Sequence, residues 1–334
     1  MDPVLLMIIA IIVALVFDVM NGFHDTANAV ATVIYTKALP PQVAIGMSAL
    51  MNIVGPFLLG TAVAKFIATS IIPSEYLTIS IVIGALMGAI AWDLVTWYYG
   101  LPVSSTHALI GGLVGSGLAA IGFSGIKWAG LAETLLGLLI SPVVGVILGL
   151  IFMYLIGRLI FSRVDRKTAN SWFKKLQVLS SAAVSLAHGS NDAQKTMGIV
   201  AMFVAVTYNT GTPVIEPWII IMCATAIGLG TALGGWRIIR TLGERIGKDE
   251  LSPSQGFAAE TSTALTIAAG SYLGLPISTT HVISSSIVGT VMVGGRGVLN
   301  KSVVLNILMA WALTIPVAAI VAAISYHVLI MVGI

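Results

Sequence analysis

The chain has 334 residues, of which 57% are hydrophobic and only 9% charged, with a formal net charge of +3 and a mean hydropathy of +1.02. Soluble domains carry about 25% charged residues, so this composition excludes a surface that is mostly in water and leaves a protein of the lipid bilayer. A lone cysteine, Cys223, excludes an internal disulfide, and the lack of a basic stripe interleaved with aromatics speaks against nucleic acid.

Apolar stretches fall at about 4–35, 42–64, 76–99, 103–122, 131–160, 177–207, 217–236, 254–273, 277–294 and 303–332, each near the length that spans a bilayer. The first lacks the basic start and small-residue cleavage site of a signal peptide and is read as a retained span. The stretches form two sets of five, separated by a water-seeking run from Arg158 to Lys175 that also holds Arg163, Arg166, Lys167 and Lys174. The positive-inside rule makes this run cytoplasmic. Alternating sides outward from it puts Lys37, Arg237, Arg240, Arg245, Lys248, Arg296 and Lys301 on the same side. Of the 16 basic residues, only Lys65, Lys127 and Lys195 escape the pattern. Both termini then lie outside, and two similar halves with an odd number of crossings are inverted relative to each other. The expected boundaries are a first transmembrane repeat at 1–160, a cytoplasmic basic linker at 161–175 and a second, inverted repeat at 176–334.

Two motifs recur, one copy in each half. LPVSSTHALIGGLVG, from Leu101, matches LPISTTHVISSSIVG, from Leu275. NGFHDTANAVAT, from Asn21, matches HGSNDAQKTMGI, from His188, chiefly through Gly22 with Gly189 and Asp25 with Asp192. Gly-Leu-Pro cannot continue a helix, whereas the Ser and Thr that follow are favoured N-caps. A new helix therefore begins at each copy, its free amides and positive dipole end offering an anion site with the hydroxyls of Ser104, Ser105, Thr106, Ser278, Thr279 and Thr280. Irregular backbone at membrane depth needs cover from protein or water, so 76–122 and 254–294 are expected as hairpins with these motifs at their tips, either re-entrant or as two full crossings. Ordinary turns at the membrane surface are the plainer alternative.

An acid at the centre of a spanning helix costs about 2.5–3.5 kcal/mol to insert, so Asp25, Asp192 and Lys195 need compensation. Asn21, Asn28 and Asn191, with carbonyls freed where glycine and asparagine loosen the helix, would build a hard oxygen cage for a small cation. Buried structural ion pairs are the alternative. Gln194 and Lys195 offer donors to an anion. His107 and His281 hold equivalent places and brace the tips; His24 and His188 flank the acids and either tune a cation site or satisfy a carbonyl. Asp18, Asp93, Glu133 and Glu260 lack counterparts in the other half and rank as structural or gating groups. The runs GGLVGSG and GTVMVGG read as close-packing helix faces.

Together these motifs resemble the inorganic phosphate transporter (PiT) family over essentially the whole chain. The resemblance implies an all-α polytopic membrane protein with two inverted-topology repeats, discontinuous helices and re-entrant hairpins, located in the inner or plasma membrane and acting as a homodimer. It also implies a secondary carrier that moves inorganic phosphate together with a cation and needs no cofactor. The family's acid falls on Asp25 and Asp192 and its following asparagine on Asn28. Lys195 replaces that asparagine in the second half, and His24 departs from the first motif; the Gln194-Lys195 variant resembles the bacterial branch of the family, which leaves proton or metal-phosphate coupling beside sodium. A dianion entering a negative-inside cell costs about 4.6 kcal/mol at 100 mV, at about 2.3 kcal/mol per charge, so about two cations must accompany it. Sodium symport is the leading expectation, with Asn21, Asp25, Asn28, Asn191 and Asp192 on the cation and Ser104, Ser105, Thr106, Ser278, Thr279, Thr280, Gln194 and Lys195 on phosphate. A lipid phosphate phosphatase would need arginines near its histidine, and a channel would want rings of charge or carbonyls.

Overall fold

The structure is a computed structural model that describes residues 2–58, 60–295 and 298–334. Arg296, one of the basic residues assigned above to the linker's side, lies outside the described residues. Twelve α-helices occur among the described residues, and no strands: α1 (Pro3–Tyr35), α2 (Pro41–Val54), α3 (Ala62–Ser70), α4 (Ile79–Tyr99), α5 (Ser105–Ile121), α6 (Trp128–Leu155), α7 (Arg166–Tyr208), α8 (Pro217–Leu233), α9 (Trp236–Arg240), α10 (Pro253–Tyr272), α11 (Thr279–Met292) and α12 (Lys301–Met331). Each half runs through a long helix, a bent pair, a hairpin and a second long helix. The bends are 75° between α2 with its following turn and α3, and 63° between α8 and α9 with its continuation.

By length and composition α1, α4, α6 and α12 can each cross a membrane, and the two bent pairs raise the count to six. Ten apolar stretches are visible in the sequence, and the difference has a physical cause. α5 and α11 have 17 and 14 residues, fewer than the roughly 20 a crossing helix needs. α7 and α10 are rich in buried polar groups. Such helices depend on protein packing instead of lipid.

The packing crosses between the halves. α12 lies against α4 and α5, α6 lies against α10 and α11, α1 packs on α8, and α7 packs on α2. Each hairpin is thus covered by the last helix of the other half. The crossings of α1 and α7 explain the two motif glycines. A Cβ at Gly22 would sit 2.2 Å from the Ile227 carbonyl oxygen of α8, and one at Gly189 would sit 2.4 Å from the Asn52 oxygen of α2.

The linker is largely helical. α6 ends in a single π turn over Ile156–Ile160, and Asp165 caps α7 by accepting from the Thr168 amide at 3.0 Å. From there α7 runs 43 residues without a break, through the whole HGSNDAQK motif. α1 is likewise continuous through NGFHDTAN. The loosening expected at these glycines and asparagines therefore does not occur. Their backbone groups stay in the helical ladder, and only side-chain oxygens are available to a cation.

The breaks occur at the hairpin tips. α4 and α10 end in matching motifs, with Gly100 at φ +66° and Gly274 at φ +72°. The Leu101 amide donates to Thr96 O and Gly100 to Trp97 O; Leu275 donates to Gly270 O and Gly274 to Ser271 O. This crossed pair of bonds closes a helix on a left-handed residue, and the proline that follows prevents resumption. Ser104 and Ser278 then cap the next helices, their hydroxyls accepting from the amides of His107 (3.2 Å) and His281 (3.1 Å).

Candidate functional site

Both tips are buried beside the interiors of α1 and α7. Asp25 stands on α1 and Asp192 on α7, and each shows 2% exposure or less. Their Oδ2 atoms face one another across the second tip. The Thr279 hydroxyl lies 3.3 Å from Asp25 Oδ2 and 3.5 Å from Asp192 Oδ2, and the Thr280 hydroxyl lies 3.1 Å from Asp25 Oδ2. Asn28 donates to Thr280 at 3.0 Å and Thr279 at 3.4 Å, while Asn21 donates to Asp192 at 3.5 Å. The side-chain oxygens of Asn21 and Asn28 are buried without a hydrogen-bond partner. A buried, unpaired amide oxygen is costly unless something positive meets it.

Histidines complete the centre. His188 Nε2 lies 3.8 Å from Asp25 and 3.6 Å from Asp192, and these three residues offer ligand atoms within 4.8 Å of one another. His24 Nδ1 contacts Asp25 Oδ1 at 2.8 Å while its Nε2 lies 3.3 Å from the Thr96 hydroxyl of α4. The sequence left these histidines between tuning and satisfying carbonyls; His24 hydrogen-bonds a carboxylate, and His188 Nε2 stands beside both acids without a hydrogen-bond partner. Two carboxylates, threonine hydroxyls and two unpaired amide oxygens suit a hard cation.

Lys195 joins this centre to both tips. Its ammonium reaches Asp192 Oδ1 at 2.6 Å, the Thr106 hydroxyl at 2.5 Å and the Ile277 carbonyl at 3.3 Å, which uses all three of its N–H donors. Thr106 also donates to Ile277 O at 3.3 Å, so the tips are directly linked. They meet again through their histidines, with the rings of His107 and His281 at 4.4 Å and His281 stacked on Trp311 at 3.7 Å. Ser105 is buried with a free hydroxyl. At each tip the first amides of the new helix have no intrahelical acceptor.

Two of the sequence's candidates stand apart. Gln194 Oε1 accepts from the amides of Val63 (2.9 Å) and Ala64 (3.4 Å), capping α3. Asn191 donates to Ser271 on α10 at 2.9 Å. Of the secondary acids, Asp18 and Asp93 are buried with both carboxylate oxygens unpartnered, and Glu133 is exposed. Glu260 accepts from Thr32 (2.6 Å), Gln177 (3.0 Å) and Ser180, tying α1, α7 and α10 together. Asn52 and Thr231 went unnoticed in the sequence. Asn52 Oδ1 lies 3.1 Å from His188 Nδ1 and its amide donates to Thr231 at 2.8 Å, which fixes the histidine's ring. The available signal was a lone asparagine in the apolar second half of α2.

The family model described as "Phosphate transporter family" matches residues 21–322, which include both tips and both acids. The chain belongs to the phosphate transporter family. Among its relatives, the "Probable low-affinity inorganic phosphate transporter" of Rhizobium meliloti is 44% identical, with 97% of this chain and 96% of that protein covered. A protein of the same description from Bacillus subtilis is 42% identical over 99% of this chain and 100% of its own length. A solved structure described as "The sodium-dependent phosphate transporter" is 27% identical and superposes with a TM-score of 0.90, covering 98% of this chain and 99% of that one.

Proposed function

We propose that this protein is a secondary carrier importing inorganic phosphate by sodium symport, with the two tips holding phosphate and the paired acids holding its companion cation. The observation that carries the proposal is the convergence of Asp25 and Asp192 on Thr279, beside an ammonium that reaches Thr106 of the other tip. Transport as opposed to enzymatic chemistry is also what the relatives' descriptions name, and sodium dependence is named for the structural neighbour. Helix N-termini and hydroxyls favour the oxyanion. Because Lys195 has no spare donor in this arrangement, phosphate binding displaces one of its contacts, and Thr106 is the one that belongs to a tip.

The halves act as inverted repeats about this centre, with the basic run on the cytoplasmic side and both termini outside. Their exchange of covering helices supports alternating access by movement of one half against the other. The cytoplasmic assignment follows the charge bias, and pairing of two copies follows the family resemblance.

In proteoliposomes, phosphate uptake is expected to require an inward sodium gradient. Equal uptake driven by a proton gradient alone would reject sodium as the coupled ion. Absence of phosphate uptake under either gradient would reject the transport assignment itself.

A further inference from the structure

A second group of basic residues lies away from the central site, at the end of the molecule that carries the linker. A cleft of about 440 Å³ opens between the end of α1, the start of α7 and the start of α10, lined by Tyr35, Lys37, Lys167, Asn170, Lys174 and Glu250. Three lysines against one glutamate leave a local excess of two positive charges. The N-termini of α7 and α10 border the cleft; the first is offset by its Asp165 cap, and the second, capped by the neutral Ser252, adds positive potential. At about 30 Å³ per water, the cleft accommodates a hydrated oxyanion.

Lys37 adds a backbone observation. It follows the cap of α1 with φ +58°, a conformation that side-chain-bearing residues adopt at a cost and that glycine adopts freely. Strain of this kind persists where the surroundings hold it and often marks functional positions. Here a lysine occupies the place that commonly falls to glycine, and it lines the cleft.

The cleft is also joined to the centre by a polar seam. Below Asn28 on the same helix come Thr32 and Thr36. Thr36 donates to Gln177 at 2.6 Å, Thr32 donates to Glu260 at 2.6 Å, and Gln177 donates to Glu260 at 3.0 Å. Thr36 itself lines the cleft. Thr32, Thr36, Gln177 and Glu260 therefore form one buried hydrogen-bonded group between the turn of α1 that carries Asn28 and the cleft, with Glu260 tying α1, α7 and α10.

We propose that the Lys37–Lys167–Lys174 cleft is a second, peripheral site for phosphate, where the ion is held as it leaves or enters the central site along the Thr32–Thr36–Gln177 seam. Its role in transport rests on the carrier reading above; its capacity to bind phosphate does not. A cleft with an excess of one sign of charge concentrates the opposite ion and speeds its arrival, by about tenfold or more where the lining is strongly one-signed, and this matters most for a site that must exchange its ion rapidly.

The test has two arms, both on the full chain. In detergent, the lysines are acylated with a dilute amine-reactive ester in phosphate or in chloride of equal ionic strength, and labelling is read by mass spectrometry. Phosphate is expected to slow labelling of Lys37, Lys167 and Lys174 by about threefold or more on the same electrostatic grounds, to spare Lys175 and Lys301, and to do so equally in Asp192→Asn. Equal slowing of all five lysines, no slowing, or protection that disappears in Asp192→Asn would overturn the second site. In oriented proteoliposomes, the combined Lys37→Gln, Lys167→Gln and Lys174→Gln variant is expected to raise the half-saturating phosphate concentration from the lysine face by about threefold to tenfold. The value from the opposite face should not move, and arginine at the three positions should restore the wild-type value. An unchanged value at the lysine face would overturn the transport role. Failure of the carrier reading is distinguishable, because wild-type protein would then exchange no phosphate while the labelling result stood.

Discussion

Lys195 is the residue on which the centre depends most directly. An ammonium with 1% exposure survives only because Asp192, Thr106 and Ile277 O satisfy it, and removing one partner of a buried pair typically costs about 3–5 kcal/mol. Lys195→Met is therefore expected to destabilise the protein by about that amount, read as loss of thermal stability in detergent. Adding Asp192→Asn should recover much of the loss, because it removes the charge left unpaired. Transport responds differently: Asp192→Asn alone is expected to reduce phosphate uptake to near background while the protein elutes normally in size-exclusion chromatography. Wild-type uptake by that variant would take Asp192 out of the mechanism. Asp25, Asp192 and Lys195 stood out in the sequence because charges in apolar runs are costly, and the two acids also recur, one in each half. The parts played by Asn52 and Thr231 were not, because each acts through a residue far away in the chain.

At the scale of elements, the two Gly-Leu-Pro turns carry the architecture. They stop one helix and aim the next at the centre. Gly100 and Gly274 hold left-handed backbone that costs an ordinary residue about 1–2 kcal/mol, so Gly100→Ala and Gly274→Ala are each expected to lower stability by roughly that much. Gly189→Ala should cost at least as much by a different route, since its Cβ meets the Asn52 carbonyl oxygen at 2.4 Å and overpacking typically costs about 1–3 kcal/mol. Thermal unfolding in detergent measures all three. Helix starts and stops at the tips could be read locally, because glycine, proline and serine act on their own few bonds. Continuity of α1 and α7 could not. Asparagine and glycine lower helix propensity, yet α8 and α2 press against the glycines and the asparagines find side-chain partners, so tertiary packing keeps both helices whole.

For the whole molecule, the decisive quantity is net charge moved per cycle. If more positive charge than phosphate charge enters together, an inside-negative potential of 100 mV favours uptake by about 2.3 kcal/mol per net charge. Uptake into vesicles with a potassium-diffusion potential of that sign is then expected to accelerate, and a rate insensitive to potential would mean an electroneutral cycle. The same scale separates the proposed sites. The central group is enclosed by α1, α7 and both tips, whereas the lysine cleft stands open at the linker end, so added salt should weaken phosphate at the cleft well before it affects the centre.

Composition, charge bias and duplicated motifs determined the membrane setting, the family and most of the residues that meet at the centre. They suffice because partition into lipid, helix termination and charge burial are governed by local chemistry. Only the tertiary structure decided which oxygens of those residues face one another, that Gln194 caps α3 and Asn191 turns to α10, and that Lys37 shares a cleft with Lys167 and Lys174 of α7. Those outcomes depend on how helices from opposite halves cross, and a crossing is set by contacts between residues that no local pattern connects.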